Sequence, residues 1–335
     1  MAPRDAGPNR PLRVFLTQPI APGAFARLQA LGPVERHDDP MTIAPRDRVL
    51  AGVREADVLF CLLHDRIDDE VLGAGERLGL VACMAIIPAN VDLAAATARG
   101  IPVTVIPPLV TEATADVNMA LLLAVARRIV EGDKLLRTGV FPGSQSTYLV
   151  GGTVHGKTLG VVGFGAIGRA VAKRARGFDM RVLYTKRTRL GEAEEQVLGV
   201  EWAAMDDLLR ASDFVSVNAL FTPETRHLIG ERELGLMKPT AYLVNTSRGP
   251  VVDEAALART LAAGRIAGAG LDVYEHEPRV TPELIGLPNV VLTPHVGSAD
   301  RDTRERIAGV VVDNIEAWRR GDRPPNVANP DVYAR

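Results

Sequence analysis

The sequence predicts an α/β protein built on two doubly wound parallel sheets, and three observations carry that prediction. Short β-branched runs alternate with helical stretches along most of the chain, the rhythm of parallel strands joined by crossover helices. The runs are nearly continuous in Val, Leu and Ile, as strands buried on both faces require. One Pro107-Pro108 step interrupts the rhythm, so the 335 residues, more than one core usually organises, divide there into two blocks.

In the first block, strands are expected over 12–18, 57–63, 80–86 and 101–106. Past the prolines, Thr111 or Thr114 can cap a long amphipathic helix running toward Arg137. The second block supplies strands at 158–165, 180–185, 213–220, 241–247, 266–274 and 289–295. A last helix is expected over about 300–320, after which the tail "GDRPPNVANP" runs out in proline and asparagine. The leader "MAPRDAGPNRP" reads as short and disordered, without the apolar segment of a secretory signal.

Apolar residues make 47% of the chain and charged residues 24%, with a formal net charge of -2, which is the balance of a soluble globular protein. That charge argues against a nucleic-acid surface as the main partner. The two cysteines, Cys61 and Cys83, form no Cys-x-x-Cys pair, so a reducing cytoplasm is the expected compartment. The longest apolar run, 119–126, falls far short of the roughly 20 residues that span a bilayer, and no membrane partner is expected. No His/Cys/Asp/Glu cluster has metal-ligand spacing, so no metal is expected either.

"LGVVGFGAIGRAVAKRARGF" holds Gly163-x-Gly165-x-x-Gly168 after one strand and at the start of a helix. A second strand ends about 20 residues on, which is the context a dinucleotide-binding loop needs. The glycines allow a tight turn and a close approach of backbone to pyrophosphate, whose charge sits on the helix N-terminus. Where an NAD site usually places an acid for the ribose hydroxyls, this chain has "YTKRTRL", with Thr185, Lys186 and Arg187. An acid would repel a 2′-phosphate, whereas these cations and the threonine hydroxyl would bind one. NADP(H) is therefore expected over NAD(H), with NAD(H) use still possible.

Three further segments place polar residues just past candidate strands, at the end of a doubly wound sheet where ligands bind. They are Arg248 in "YLVNTSRGPVV", Glu275, His276 and Glu277 in "LDVYEHEP", and His295 in "VLTPHVGSA". A histidine beside a carboxylate can exchange a proton near neutral pH, and an arginine fork can grip a carboxylate. Hydride transfer to a 2-oxo acid needs those roles, although spacing alone leaves each residue open to a structural one.

The motifs "VVGFGAIGRA", "LVNTSRGPVVDEAAL", "GLDVYEHEP" and "VLTPHVGSA", in that order, resemble the D-2-hydroxyacid dehydrogenase family, nearest its glyoxylate/hydroxypyruvate reductase branch. The resemblance covers nearly the whole chain, "DLAAATARGI", "TEATAD" and "HGKTLG" included. It implies a Rossmann NAD(P)-binding domain, 108–297, inserted in a flavodoxin-like substrate domain made of 1–107 and 298–335. Arg248 would bind the substrate carboxylate and carbonyl, His295 would be the acid in reduction, and Glu277 its carboxylate partner, leaving Glu275 and His276 on the surface. Cofactor contacts are implied at Gly163, Gly165, Ala166, Ile167, Gly168, Thr185, Lys186, Arg187, Thr188, Asn218, Thr246, Asp272 and Gly297. Substrate contacts are implied at Ile86, Ile87 and Asn90, with Arg248 and His295. A homodimer is implied, with the helix after Thr111 contributing.

Two stretches depart from the family pattern. The substrate loop reads "AIIPANVD", with Ile87, Pro88 and Ala89 where a Gly-aromatic-Asp run is usual. Pro88 has no amide hydrogen to donate, and Ile87 lacks a glycine's backbone freedom. Ser144 stands where relatives often carry tryptophan. Both changes suggest a roomier site, suited to a bulkier 2-oxo acid. Two other functions share the scaffold. A phosphite-type dehydrogenase would carry lysine where Ile86 stands, and a dinucleotide-sensing corepressor would bind cofactor with weak or no turnover.

Overall fold

A computed structural model describes residues 10–334, so most of the expected leader lies outside the described residues. The chain divides into two units, one made of the residues up to Leu109 with those from Ala299 onward, the other of Val110–Ser298.

The first unit is a five-stranded parallel sheet of β1 (Val14–Leu16), β2 (Val34–Arg36), β3 (Val58–Cys61), β4 (Leu80–Cys83) and β5 (Val103–Thr104), in the order β2-β1-β3-β4-β5. That is the flavodoxin-like order. β1, β3, β4 and β5 are buried at every position, whereas the edge strand β2 is Val-Glu-Arg and partly exposed, and Phe15, Leu59, Val81 and Val103 pack in one cluster. The last helix, Arg301–Arg319, starts where the Asp300 carboxylate accepts the Thr303 N–H at 2.8 Å. The tail rich in proline and asparagine is held against the sheet. It docks on β5, with an antiparallel bridge between Thr104 and Val327. Asn329, 6% exposed, accepts the Val103 N–H at 2.7 Å and donates to the Ile101 carbonyl at 3.0 Å.

The second unit is a seven-stranded parallel sheet of β6 (Thr158–Val162), β7 (Arg181–Thr185), β8 (Glu201–Trp202), β9 (Phe214–Val217), β10 (Tyr242–Asn245), β11 (Gly268–Leu271) and β12 (Val290–Leu292). Its order, β12-β11-β10-β9-β6-β7-β8, reverses between β6 and β9, the doubly wound Rossmann arrangement. Glycines set the approach of one cover helix. A Cβ on Gly270 of β11 would lie 2.9 Å from the Leu121 Cβ, so the helix Thr111–Ala126 can lie directly on the strand.

That helix differs from expectation at both ends. Its N-cap is Val110, with no side-chain cap, and it stops at Ala126; a second helix, Ile129–Arg137, begins after Arg128 at φ 53°. The cause is tertiary. Gly152 N–H donates to the Ala126 carbonyl at 2.8 Å, taking the acceptor that a continuing helix would give to residue 130. No helix among the described residues is long and apolar enough to cross a membrane.

Candidate active site

The residues singled out in the second unit follow the carboxyl ends of its strands, the glycine loop after β6 at the point where strand order reverses and the others spread from β7 to β12. After β6 the chain turns through Gly163 at φ 88°, and a Cβ there would lie 2.5 Å from the Ala219 N. At Gly168 a Cβ would lie 2.5 Å from the Gly163 carbonyl oxygen, so the helix Ala166–Ala175 packs hard on its own turn. At Gly165 it would meet nothing within 4 Å. Gly165 is also the N-cap and has no side chain to cap with, so the N–H groups opening the helix at Ala166 and Ile167 remain available to an anion. An open cradle at a helix N-terminus fits a pyrophosphate.

Behind this turn runs a chain of buried polar groups. Asn118, fully buried, donates to the Thr246 Oγ1 at 2.9 Å and accepts from the Ser216 Oγ at 3.0 Å. Asn218 in turn donates to the Ser216 Oγ at 2.8 Å, and its own Oδ1 is buried without a partner. An orphaned acceptor beside the cradle suits a hydroxyl donor such as a ribose. Asn118 and Ser216 were missed in the sequence, where their only signal is a polar residue inside the apolar runs "VNMALLLAVA" and "FVSVN".

The cations after β7 divide their work. Lys186 is half-buried and Arg187 exposed, with Thr188 beside them. Arg187's charge reaches Glu224, whose carboxyl is held below its usual range chiefly by the Thr222 hydroxyl. Arg189, by contrast, turns back into the protein and clasps Glu195 with two bonds of 2.8 Å. Tyr184, buried at the end of β7, donates to the Glu195 Oε1 at 2.7 Å and accepts the Leu190 N–H at 2.8 Å. The bonds from Arg189 and Tyr184 hold the Glu195 carboxyl down at about 2.

His295 lies three residues past β12 at φ 55°, and its Nδ1 is 2.8 Å from the Glu277 Oε2. A carboxylate only accepts, so Nδ1 carries the proton against Glu277, and Nε2 is the ring nitrogen left to exchange one. Asp272 braces the His295 turn. It accepts from the Thr293 hydroxyl at 2.6 Å and from the N–H groups of Val296 and Gly297 at 2.8 and 2.7 Å. Arg248 donates to its neighbour Ser247's carbonyl at 2.7 Å; burial pulls its pKa down and the Glu277 charge pushes it back up. Glu275 is not the surface residue expected. Its side chain, 9% exposed, accepts from Arg226 at 2.6 Å and from the His227 Nε2 at 2.8 Å.

In the first unit, Ile86 is half-buried and Ile87 45% exposed, on the turn after β4. The Asn90 side chain is engaged by protein groups: its amide donates to the Leu62 and Asp65 carbonyls, both at 2.8 Å. It therefore holds its own loop in shape.

A family model described as the NAD binding domain of D-isomer specific 2-hydroxyacid dehydrogenases matches residues 119–297. The glyoxylate reductase of Thermococcus litoralis is 47% identical over 324 residues, covering 96% of this chain and 97% of the relative. A solved protein of Thermus thermophilus is 43% identical with a TM-score of 0.86, covering 95% of this chain and all of that one (100%). The NADPH-dependent glyoxylate/hydroxypyruvate reductase of Sinorhizobium meliloti, solved with citrate, is 32% identical with a TM-score of 0.78, covering 96% of this chain and 99% of that one.

Proposed function

Because the chain belongs to the D-isomer specific 2-hydroxyacid dehydrogenase family, we propose that it reduces a 2-oxo acid to the D-2-hydroxy acid with NADPH preferred over NADH. The observation that carries this reading is the His295–Glu277 pair at 2.8 Å, set on the same sheet edge as the open glycine cradle. The cofactor, when bound, supplies the hydride. Gly163, Gly165, Gly168 and the first N–H groups of the helix Ala166–Ala175 hold its pyrophosphate. Asn218 Oδ1 accepts from a ribose hydroxyl, Thr246, Asp272 and Gly297 line the same edge, and Thr185, Lys186, Arg187 and Thr188 take the 2′-phosphate.

Arg248 grips the substrate carboxylate and draws charge off the carbonyl oxygen. As the imidazolium, His295 donates its Nε2 proton to that oxygen and is left as the Nδ1–H tautomer, which Glu277 holds through its bond to Nδ1. Taken as substrate contacts, Ile86 and Ile87 are apolar, which suits 2-oxo acids from glyoxylate upward to bulkier ones. The molecule works as a homodimer in this reading, for Ile129, Leu136, Val140 and Phe141 are exposed apolar residues on one helix and the arm that follows it.

Loss of reduced-nicotinamide absorbance against glyoxylate, hydroxypyruvate and phenylpyruvate tests the proposal. His295→Ala is expected to lose about 10²–10⁴ in kcat, the usual worth of a general acid. Arg187→Ala should raise KM for NADPH by about tenfold or more and leave NADH unaffected. A chain that binds NADPH and reduces none of these acids would instead favour a sensing role.

A further inference from the structure

We propose that Glu254 is a positioning residue for the Glu277–His295 pair, acting through the loop that delivers Glu277. This rests on the reading of those two residues given above. Glu254 opens the helix Glu254–Ala262 and is 5% exposed. Both of its oxygens face the loop that follows β11. Oε2 accepts the Glu275 N–H at 2.6 Å and Oε1 the Thr281 N–H at 2.9 Å, so the two anchors stand on either side of Glu277. Such charge-assisted bonds are the stronger kind, and the first turn of a helix is where a buried negative charge costs least.

Between the anchors Glu277 divides its own oxygens. Oε1 accepts the Tyr274 N–H at 2.9 Å, and Oε2 meets His295 at 2.8 Å. Wherever the loop moves, the oxygen that orients His295 moves with it. The helix carrying Glu254 also follows the turn at Arg248. There Gly249 lies so close to the Tyr274–Glu275 peptide that a Cβ would fall 1.8 Å from the Tyr274 carbonyl carbon. Glu254 thus fastens the segment bearing Arg248 to the segment bearing Glu277. Only a carboxylate serves both anchors, since glutamine would turn an NH₂ toward one of the two N–H donors.

The test compares Glu254→Gln and Thr281→Pro with His295→Ala in the full-length protein. Thr281 sits at φ -55°, already a proline angle, so Thr281→Pro removes one anchor N–H and leaves Glu254 intact. Glu254→Gln is expected to lower kcat on the order of tenfold to a hundredfold, the scale of a slightly misplaced catalytic group. The solvent deuterium isotope effect should rise as proton transfer becomes limiting, while the Kd for NADPH, read by fluorescence titration, stays within about twofold. Thr281→Pro should give a smaller shift of the same kind. Should Glu254→Gln fail to fold, Thr281→Pro decides. Wild-type kcat and isotope effect in the soluble variants, with His295→Ala inactive, would overturn the Glu254 role alone. An active His295→Ala would overturn the site reading, and the Glu254 role with it.

Discussion

A methyl group added at Gly165 meets no atom within 4 Å, whereas one added at Gly163 lies 2.5 Å from the Ala219 N on a backbone already at φ 88°. The two substitutions should therefore separate stability from binding. Gly163→Ala pays in both strain and overpacking, about 1–3 kcal/mol or more, and should lower the thermal midpoint. Gly165→Ala should melt like the wild type and yet lose most of the midpoint gain that NADPH confers, because its methyl occupies the cradle. Undiminished NADPH stabilisation in Gly165→Ala would remove the pyrophosphate from this loop. The glycine spacing announced the turn in the sequence, but the sequence could not tell Arg187 from Arg189. Both are cations in one short run, and only the fold brings Glu195 under the second.

The connection from β7 to the helix Glu192–Leu198 is held by the Tyr184–Glu195–Arg189 knot. Glu195's pKa lies at about 2 against an ordinary 4.5, so its contribution to stability is complete above 4.5 and fades as pH falls toward 2. Glu195→Gln should thus melt below the wild type at neutral pH, with the gap closing across that acid window in a pH series of melting curves. A gap that persists unchanged at the acid end would show that the carboxylate charge is not what holds the connection. The strands β3, β4, β6 and β9 were legible because burial on both faces leaves their runs mainly apolar, Ser216 in β9 being a polar exception. β2 and β8 were not, since each is an edge strand of two or three residues and Glu201–Trp202 is exposed. The helix break at Arg127-Arg128 was hidden for another reason. Good helix formers continue through it, and the Ala126 carbonyl is claimed by Gly152, a residue distant in sequence. Glu254 was hidden likewise, reading in "VVDEAAL" as one more acid at a helix start.

At the scale of the whole molecule, two parallel sheets followed from the rhythm of the sequence, while the order of strands came only with the fold. The exposed Leu136 and Phe141, at 56% and 75%, set a test of assembly. Sedimentation equilibrium should give a dimer, and the double substitution Leu136→Glu with Phe141→Glu a monomer. A wild-type monomer would end the dimer proposal. The docking of Asn329 on Val103 and Ile101 has a consequence of a different sort, in the order of synthesis. β5 leaves the ribosome early, yet the Thr104–Val327 bridge that covers it forms only after all of Val110–Ser298 has been made. Through that interval the nascent chain carries an open sheet edge, the feature that most readily pairs with a neighbour. Its protection waits until Val327 and Asn329 have been made.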